Sequence, residues 1–126
     1  DALEAVRSAQ QEGVLTGGGM SLLRIARDLA PNFDNEEQST SLTIFKKALQ
    51  APFRLMAQNA GLSPDVTMWS AAEFSDSEGY DFLSGKSTNL LAAGIIDPAK
   101  VTRCAVKNAV SVAGTLLLTN HSVVTN

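Results

Sequence analysis

At 126 residues the chain suits a single domain that buries roughly two-thirds of the surface its unfolded form exposes, and with 44% apolar and 18% charged residues it reads as globular, not disordered. A net charge of −3 with ten scattered basic residues excludes the basic stripe that duplex nucleic acid needs. Its one cysteine, Cys104, excludes an internal disulfide and a multi-cysteine zinc site, and points to a reducing compartment. The most apolar run, Ala109 to Leu118, is about half the length a bilayer requires and suggests a buried helix, so no membrane partner is expected. Asp1-Ala-Leu-Glu has neither the basic start nor the apolar core of a targeting signal.

In chain order, Asp1 to Glu12 predicts a helix with Leu3, Val6 and Ala9 on one thin stripe, capped by Asp1 and ended by Gly13. Val14 to Gly19 is a short extended connection closing on three glycines. Leu22, Leu23, Ile25, Ala26 and Leu29 then give a strong helical pattern that Pro31 stops. Asn35 with Gln38 has the form of a capping box, opening a helix whose inner face carries Leu42, Phe45 and Leu49. Pro52 predicts a break near Ala51, with a separate helix from Pro52 to Ala60 ended by Gly61.

Pro64 to Glu73 predicts a short helix holding the only tryptophan. Ser75 to Ser87, punctuated by Gly79 and Gly85, predicts a small hairpin. A helical turn through Leu90 to Ala93 precedes Asp97-Pro98, which reads as an N-cap and first-turn proline for a long helix reaching about Leu118. His121 to Asn126 suit a strand. The fold class is mainly α, with a small β-hairpin and a carboxy-terminal strand, and there is no internal repeat or flexible linker.

Three segments carry more than local structure: Asp-Ala-Leu-Glu-Ala-Val-Arg from Asp1 with Glu-Gly-Val-Leu-Thr-Gly-Gly-Gly from Glu12, Ala-Pro-Phe-Arg from Ala51 with Asn59-Ala-Gly61, and Gly-Ile-Ile-Asp-Pro-Ala-Lys-Val-Thr-Arg from Gly94. With Gly79-Tyr-Asp81 and Asn108-Ala-Val-Ser-Val-Ala-Gly114, this ordered set resembles the group I chaperonins along essentially the whole chain. The resemblance implies the carboxy-terminal part of a subunit. Residues 1–11 would end the intermediate domain, and residues 12–126 would form the carboxy-terminal half of the ATP-binding equatorial domain. The parent subunit would be an ATP-hydrolysing folding chaperone, using ATP/ADP and Mg2+. Its partners would be other subunits in seven-membered, often doubled rings, a co-chaperonin and unfolded clients, in a bacterial cytoplasm or a mitochondrial or plastid matrix.

The same resemblance implies the site. Asp1 matches the catalytic aspartate near the γ-phosphate and magnesium, where a carboxylate orients the attacking water. Gly17 and Gly18 would let the backbone approach the nucleotide. Asp97 matches the acceptor of the ribose hydroxyls, Ile95 an apolar wall, and Met56, Tyr80, Asp81, Phe82 and Leu83 positions around the base. No metal ligand is implied within the segment beyond Asp1 near magnesium. Each residue also has a plainer reading: Asp1 and Asp97 as helix caps, the glycines as a turn. On that alternative the chain is a helical interaction module without nucleotide chemistry.

Phe82 and Leu83 depart from the small residues usual in the family, and Gly85-Lys-Ser-Thr88 departs from its usual pattern as well. The latter looks like a Walker A loop, but Tyr80 stands where its first glycine belongs, and Lys86 reads as a solvated hairpin residue. His121 has no companion ligand, and Cys104 suits a helix interior. The family's Gly-Asp-Gly-Thr-Thr-Thr phosphate loop and its apical domain are not among these 126 residues. Alone, the segment is therefore expected to bind ATP weakly or not at all and to self-associate.

Overall fold

Five helices and four short strands follow one another along residues 2–125, the part of the chain that the computed structural model describes: α1 (Ala2–Glu12), β1 (Val14–Thr16), α2 (Met20–Asp28), α3 (Glu36–Asn59), α4 (Pro64–Ala71), β2 (Glu78–Asp81), β3 (Lys86–Asn89), β4 (Ile96–Pro98) and α5 (Ala99–Leu117). The two-stranded sheets are β1 with β4 and β2 with β3. The chain divides into two compact units. One is Leu15–Ile96, and the other joins Asp1–Val14 to Asp97–Asn126.

The larger unit has a small, dense core of Met20, Leu23, Phe53, Ala71 and Leu90, against which Met68, Phe74, Tyr80, Phe82 and Ile95 pack. On α2 the buried face is Met20, Leu23 and Ala26, one helical turn apart, while Ile25 points outward. Burial therefore selects a narrower face than the apolar pattern outlines. On α4, Thr67 is buried and satisfies its hydroxyl on the Ser63 carbonyl at 2.8 Å, whereas Trp69 is exposed.

The break expected at Pro52 does not occur: α3 runs unbroken from Glu36 to Asn59 with Pro52 inside it. Pro52 has no N–H for the carbonyl of Ala48, which would leave an orphan acceptor in a buried helix. Here both residues lie on the exposed face, where water can satisfy that carbonyl. The opposite face buries Leu49, Phe53 and Ala57 completely or nearly so. Three buried side chains outweigh the roughly 3 kcal/mol that an interior proline costs. At its start, Asn35 does cap the helix, but its Oδ1 accepts from Glu37 N–H at 2.7 Å, one residue earlier than a capping box would have it.

The hairpin forms as its glycines suggest, in antiparallel register with Glu78 opposite Asn89 and Asp81 opposite Lys86. Gly79 lies under the core, where a Cβ would collide with Leu90 Cδ1 and come within 2.7 Å of Met20 Cγ. Lys86 opens a strand of this hairpin, not a helix, which removes the Walker reading of Gly85 to Thr88.

In the smaller unit, α1 and α5 meet through polar groups. Arg103 forks onto Glu12 at 2.6 and 3.0 Å, Lys100 Nζ donates to Gln11 Oε1 at 2.6 Å, and Ala99 N–H donates to the Gly13 carbonyl at 3.0 Å. Neither helix has a buried residue among those described. No described helix is long and apolar enough to cross a membrane. The strand expected at the carboxy terminus is not formed: residues 119–125 have no regular structure, and Val123 and Val124 are exposed. An alternating segment gains strand geometry only from a neighbour's ladder, and none pairs with it among the described residues.

Phe53 is the side chain on which the larger unit's core is assembled. Phe53→Ala is expected to lower stability by about 3–5 kcal/mol, and Leu83→Ala, at an exposed hairpin tip, by no more than about 0.5 kcal/mol, as read by urea unfolding.

Candidate functional site

The glycine turn has little room around its backbone. Gly17 N–H donates to the Ile95 carbonyl at 2.9 Å, and a Cβ on Gly17 would stand 3.1 Å from that same carbonyl group. Gly18 and Gly19 both have positive φ, 64° and 73°, a region that side chains disfavour. A Cβ on Gly18 would lie 3.2 Å from the Tyr80 carbonyl, and one on Gly19 would lie 2.9 Å from the backbone of Phe53 and from Met56 Cε. One turn thus rests on α3, on the hairpin and on the segment before β4.

The residues flanking this turn are largely those the sequence singled out. Tyr80 and Phe82 stack at 5.9 Å, and both rings meet Phe53 edge to face, at 6.4 and 5.3 Å. Phe74 joins them through Tyr80 at 5.3 Å. Gly17, Gly18, Met56, Tyr80, Phe82 and Ile95 therefore surround one stretch of backbone. Leu83 does not join them, for at 98% exposure it stands in solvent at the hairpin tip. Asp81 closes the hairpin turn, since its Oδ1 accepts from Leu83 N–H at 3.0 Å and its carbonyl from Gly85 N–H at 2.8 Å. Hydrogen bonds from Ser84 and the Leu83 backbone hold its carboxyl below the usual carboxylate range.

Asp97 belongs to the smaller unit. It is not the N-cap that its place before Pro98 suggests. It lies within β4, Pro98 is the cap residue, and the first N–H of α5 is taken by the Gly13 carbonyl instead of by a side chain. The Asp97 carboxylate accepts no hydrogen bond among the described residues; the residue is exposed, and partial desolvation by its neighbours pushes its pKa up. Asp1 lies outside the described residues. No three His, Cys, Asp or Glu side chains converge as a metal site among the described residues.

Two contributors escape sequence reasoning. Phe53 lies within one of the chaperonin-like motifs, yet nothing in the motif marks it as the floor of the site. Arg24 has the pattern of a surface helix residue, and its place one turn after the buried Met20 is the only signal that could flag it. Its Nη1 donates to Thr16 Oγ1 at 2.9 Å and its Nη2 to the Ser75 carbonyl at 2.8 Å and to the Glu78 carbonyl. Separately, an apolar cleft of about 220 Å³ lies between α2, α3 and α4, lined by Met20, Leu23, Gln50, Met68 and Ala71 with Arg24 and Arg27 at its edge.

Comparison with known proteins places the chain in a family. A sequence profile described as the TCP-1/cpn60 chaperonin family matches residues 1–126, and the chain belongs to that family. Among solved structures it is similar to a group III chaperonin in the open state, with 33% identity and a TM-score of 0.79 over 92% of this chain. The match covers 25% of that protein's chain, so the present sequence spans about a quarter of its length.

Two acidic groups of the smaller unit, Glu12 and Asp97, have pKa values shifted in opposite directions. Glu12 is held below its ordinary pKa by the hydrogen bond from Arg103, so its contribution to stability is complete at neutral pH and is lost as pH falls through its folded value. Asp97, exposed but raised by partial desolvation, costs a little stability as pH rises through its unfolded value, and the cost is complete above its folded one. NMR titration is expected to show Glu12 returning toward the ordinary range in Arg103→Met. Asp97→Asn should raise the urea midpoint at pH 7 and leave it unchanged well below the carboxylate range.

Proposed function

We propose that this chain is the carboxy-terminal part of the ATP-binding equatorial domain of a group I chaperonin subunit, with residues 1–11 ending the intermediate domain. The family membership and the likeness to a group III chaperonin support a role in assisted protein folding. The group I assignment rests on the ordered motifs from Asp1, Glu12, Ala51 and Gly94. The observation that carries the nucleotide reading is the bare backbone of Gly17–Gly18, walled on one side by Tyr80 and Phe82 and on the other by Ile95.

In this reading MgATP is the substrate. The resemblance puts the Gly17–Gly18 turn beside the nucleotide, and Ile95 with the hairpin aromatics, which pack against that turn, forms an apolar boundary for the base. Asp97 offers two carboxylate oxygens, free of hydrogen bonds among the described residues, to the ribose hydroxyls. Partial desolvation disfavours its charge, and two hydroxyl donors would offset that. Asp1 orients the attacking water, and the phosphate and magnesium contacts come from parts of the subunit outside this sequence. Binding and hydrolysis then bias the orientation of domains in a ring of subunits, alternating client capture and release with a co-chaperonin.

Two replacements in the intact subunit separate these roles. Asp1→Asn is expected to lower kcat for ATP about 10²-fold with nucleotide affinity kept, and Asp97→Asn to weaken affinity about tenfold. Unchanged turnover in Asp1→Asn would remove the catalytic assignment.

α5 carries Val101, Val110, Val112, Leu116 and Leu117 around its circumference, all half or more exposed. Such exposed apolar side chains suit packing against the remainder of a subunit. The 126-residue chain alone is expected to self-associate, seen by light scattering as a mass above 13.3 kDa that falls on Leu116→Glu with Leu117→Glu.

A further inference from the structure

Arg24 joins two stretches of chain that are remote in sequence. Through Nη1 it holds Thr16, the residue before the glycine turn, and through Nη2 it holds the carbonyls of Ser75 and Glu78, 51 and 54 residues away, just before Gly79 and Tyr80. The Thr16 end is itself fixed, since Ser21 Oγ donates to the Thr16 carbonyl at 2.8 Å and lies 3.1 Å from its hydroxyl. The Glu78 end is fixed too, because the Glu78 carboxylate accepts from Ser75 N–H and Oγ, both at 2.9 Å. Between these anchors lie Gly18 and Tyr80, with only 3.2 Å separating the Tyr80 carbonyl from where a Gly18 Cβ would be.

The guanidinium keeps this position although Nε is buried without a partner. An orphan donor of that kind costs stability. A planar fork reaching three acceptors in two directions is something an ammonium group cannot reproduce.

We propose that Arg24 is a positioning residue for the nucleotide site: it clamps the glycine turn to the hairpin and so fixes how the Gly18 backbone sits against the Tyr80 carbonyl before nucleotide arrives. This rests on the nucleotide reading above. Arg24 touches no substrate in that reading, and its effect falls on affinity and not on the chemical step.

The test uses the intact subunit bearing Arg24→Met, Arg24→Lys or Thr16→Val, with calorimetric titration of MgADP, steady-state ATP turnover and hydrogen exchange over residues 16–19 and 78–83. Arg24→Met is expected to weaken MgADP about tenfold, leave kcat at saturation within about twofold, and speed exchange in both segments of the free protein. Arg24→Lys should behave as Arg24→Met does, since it keeps the charge and loses the fork. Thr16→Val, which leaves Arg24 in place and removes one acceptor, should weaken MgADP in the same direction by a smaller factor, so the clamp can be judged even if Arg24→Met fails to fold. Unchanged affinity in folded Arg24→Met, or full rescue by Arg24→Lys, overturns the clamp. Failure of the unsubstituted subunit to bind MgADP overturns the nucleotide reading itself and the clamp with it, and that outcome is visible without any variant.

Discussion

The lack of a Cβ at three consecutive positions is the constraint around which the larger unit is arranged. Gly17, Gly18 and Gly19 face different neighbours: the Ile95 carbonyl, the Tyr80 carbonyl and the backbone of Phe53. A side chain at any one of them would push a different element away. Because the turn is bare, a helix, a hairpin and the approach to a strand can all close on the same few backbone atoms. The helix that follows begins without a side-chain cap, and Leu23 N–H turns back to the Gly19 carbonyl at 3.2 Å. Close packing takes the place of capping there, with Phe53 fully buried beneath it.

Helix and hairpin positions are legible because local chemistry marks them. Gly79 and Gly85 bracket a hairpin that forms where they stand, and Asn35 caps the helix it precedes. Pro52 misleads because the rule it invokes concerns a lost hydrogen bond, and the cost of that loss depends on burial, which a local pattern does not contain. With Ala48 and Pro52 turned to solvent and Phe53 turned inward, tertiary packing overrides the local signal. Asp97 misleads for a related reason. Asp-Pro is a sound helix-start signal, yet the chain at Asp97 is already in a strand, and the Gly13 carbonyl meets the orphan N–H that a cap would have served.

The candidate site is legible mainly through the resemblance to chaperonins. Six of the residues it points to, from Gly17 to Ile95, do surround one turn. Leu83 and Asp81 do not share that environment, one being solvated and the other occupied with the turn. Phe82, bulkier than the resemblance leads one to expect at that position, packs its ring edge-on against Phe53 at 5.3 Å. Arg24 is marked in the pattern only by its place one turn after Met20, because a basic residue on an amphipathic helix is ordinarily solvent-facing, and the fold shows what its fork reaches.

The two units are held by different forces, and each answers differently to its surroundings. The turn and hairpin are fixed by a packed core whose stability changes little with salt. The helix pair of the smaller unit has no buried residue among those described and relies on the Glu12–Arg103 fork and the Lys100–Gln11 contact. Exposed pairs of this kind weaken as salt screens them, and an 11-residue helix such as α1 is marginal without its neighbour. Asp97, which leads directly into α5, therefore rests on the softer support, whereas Gly18 and Tyr80 rest on the rigid one.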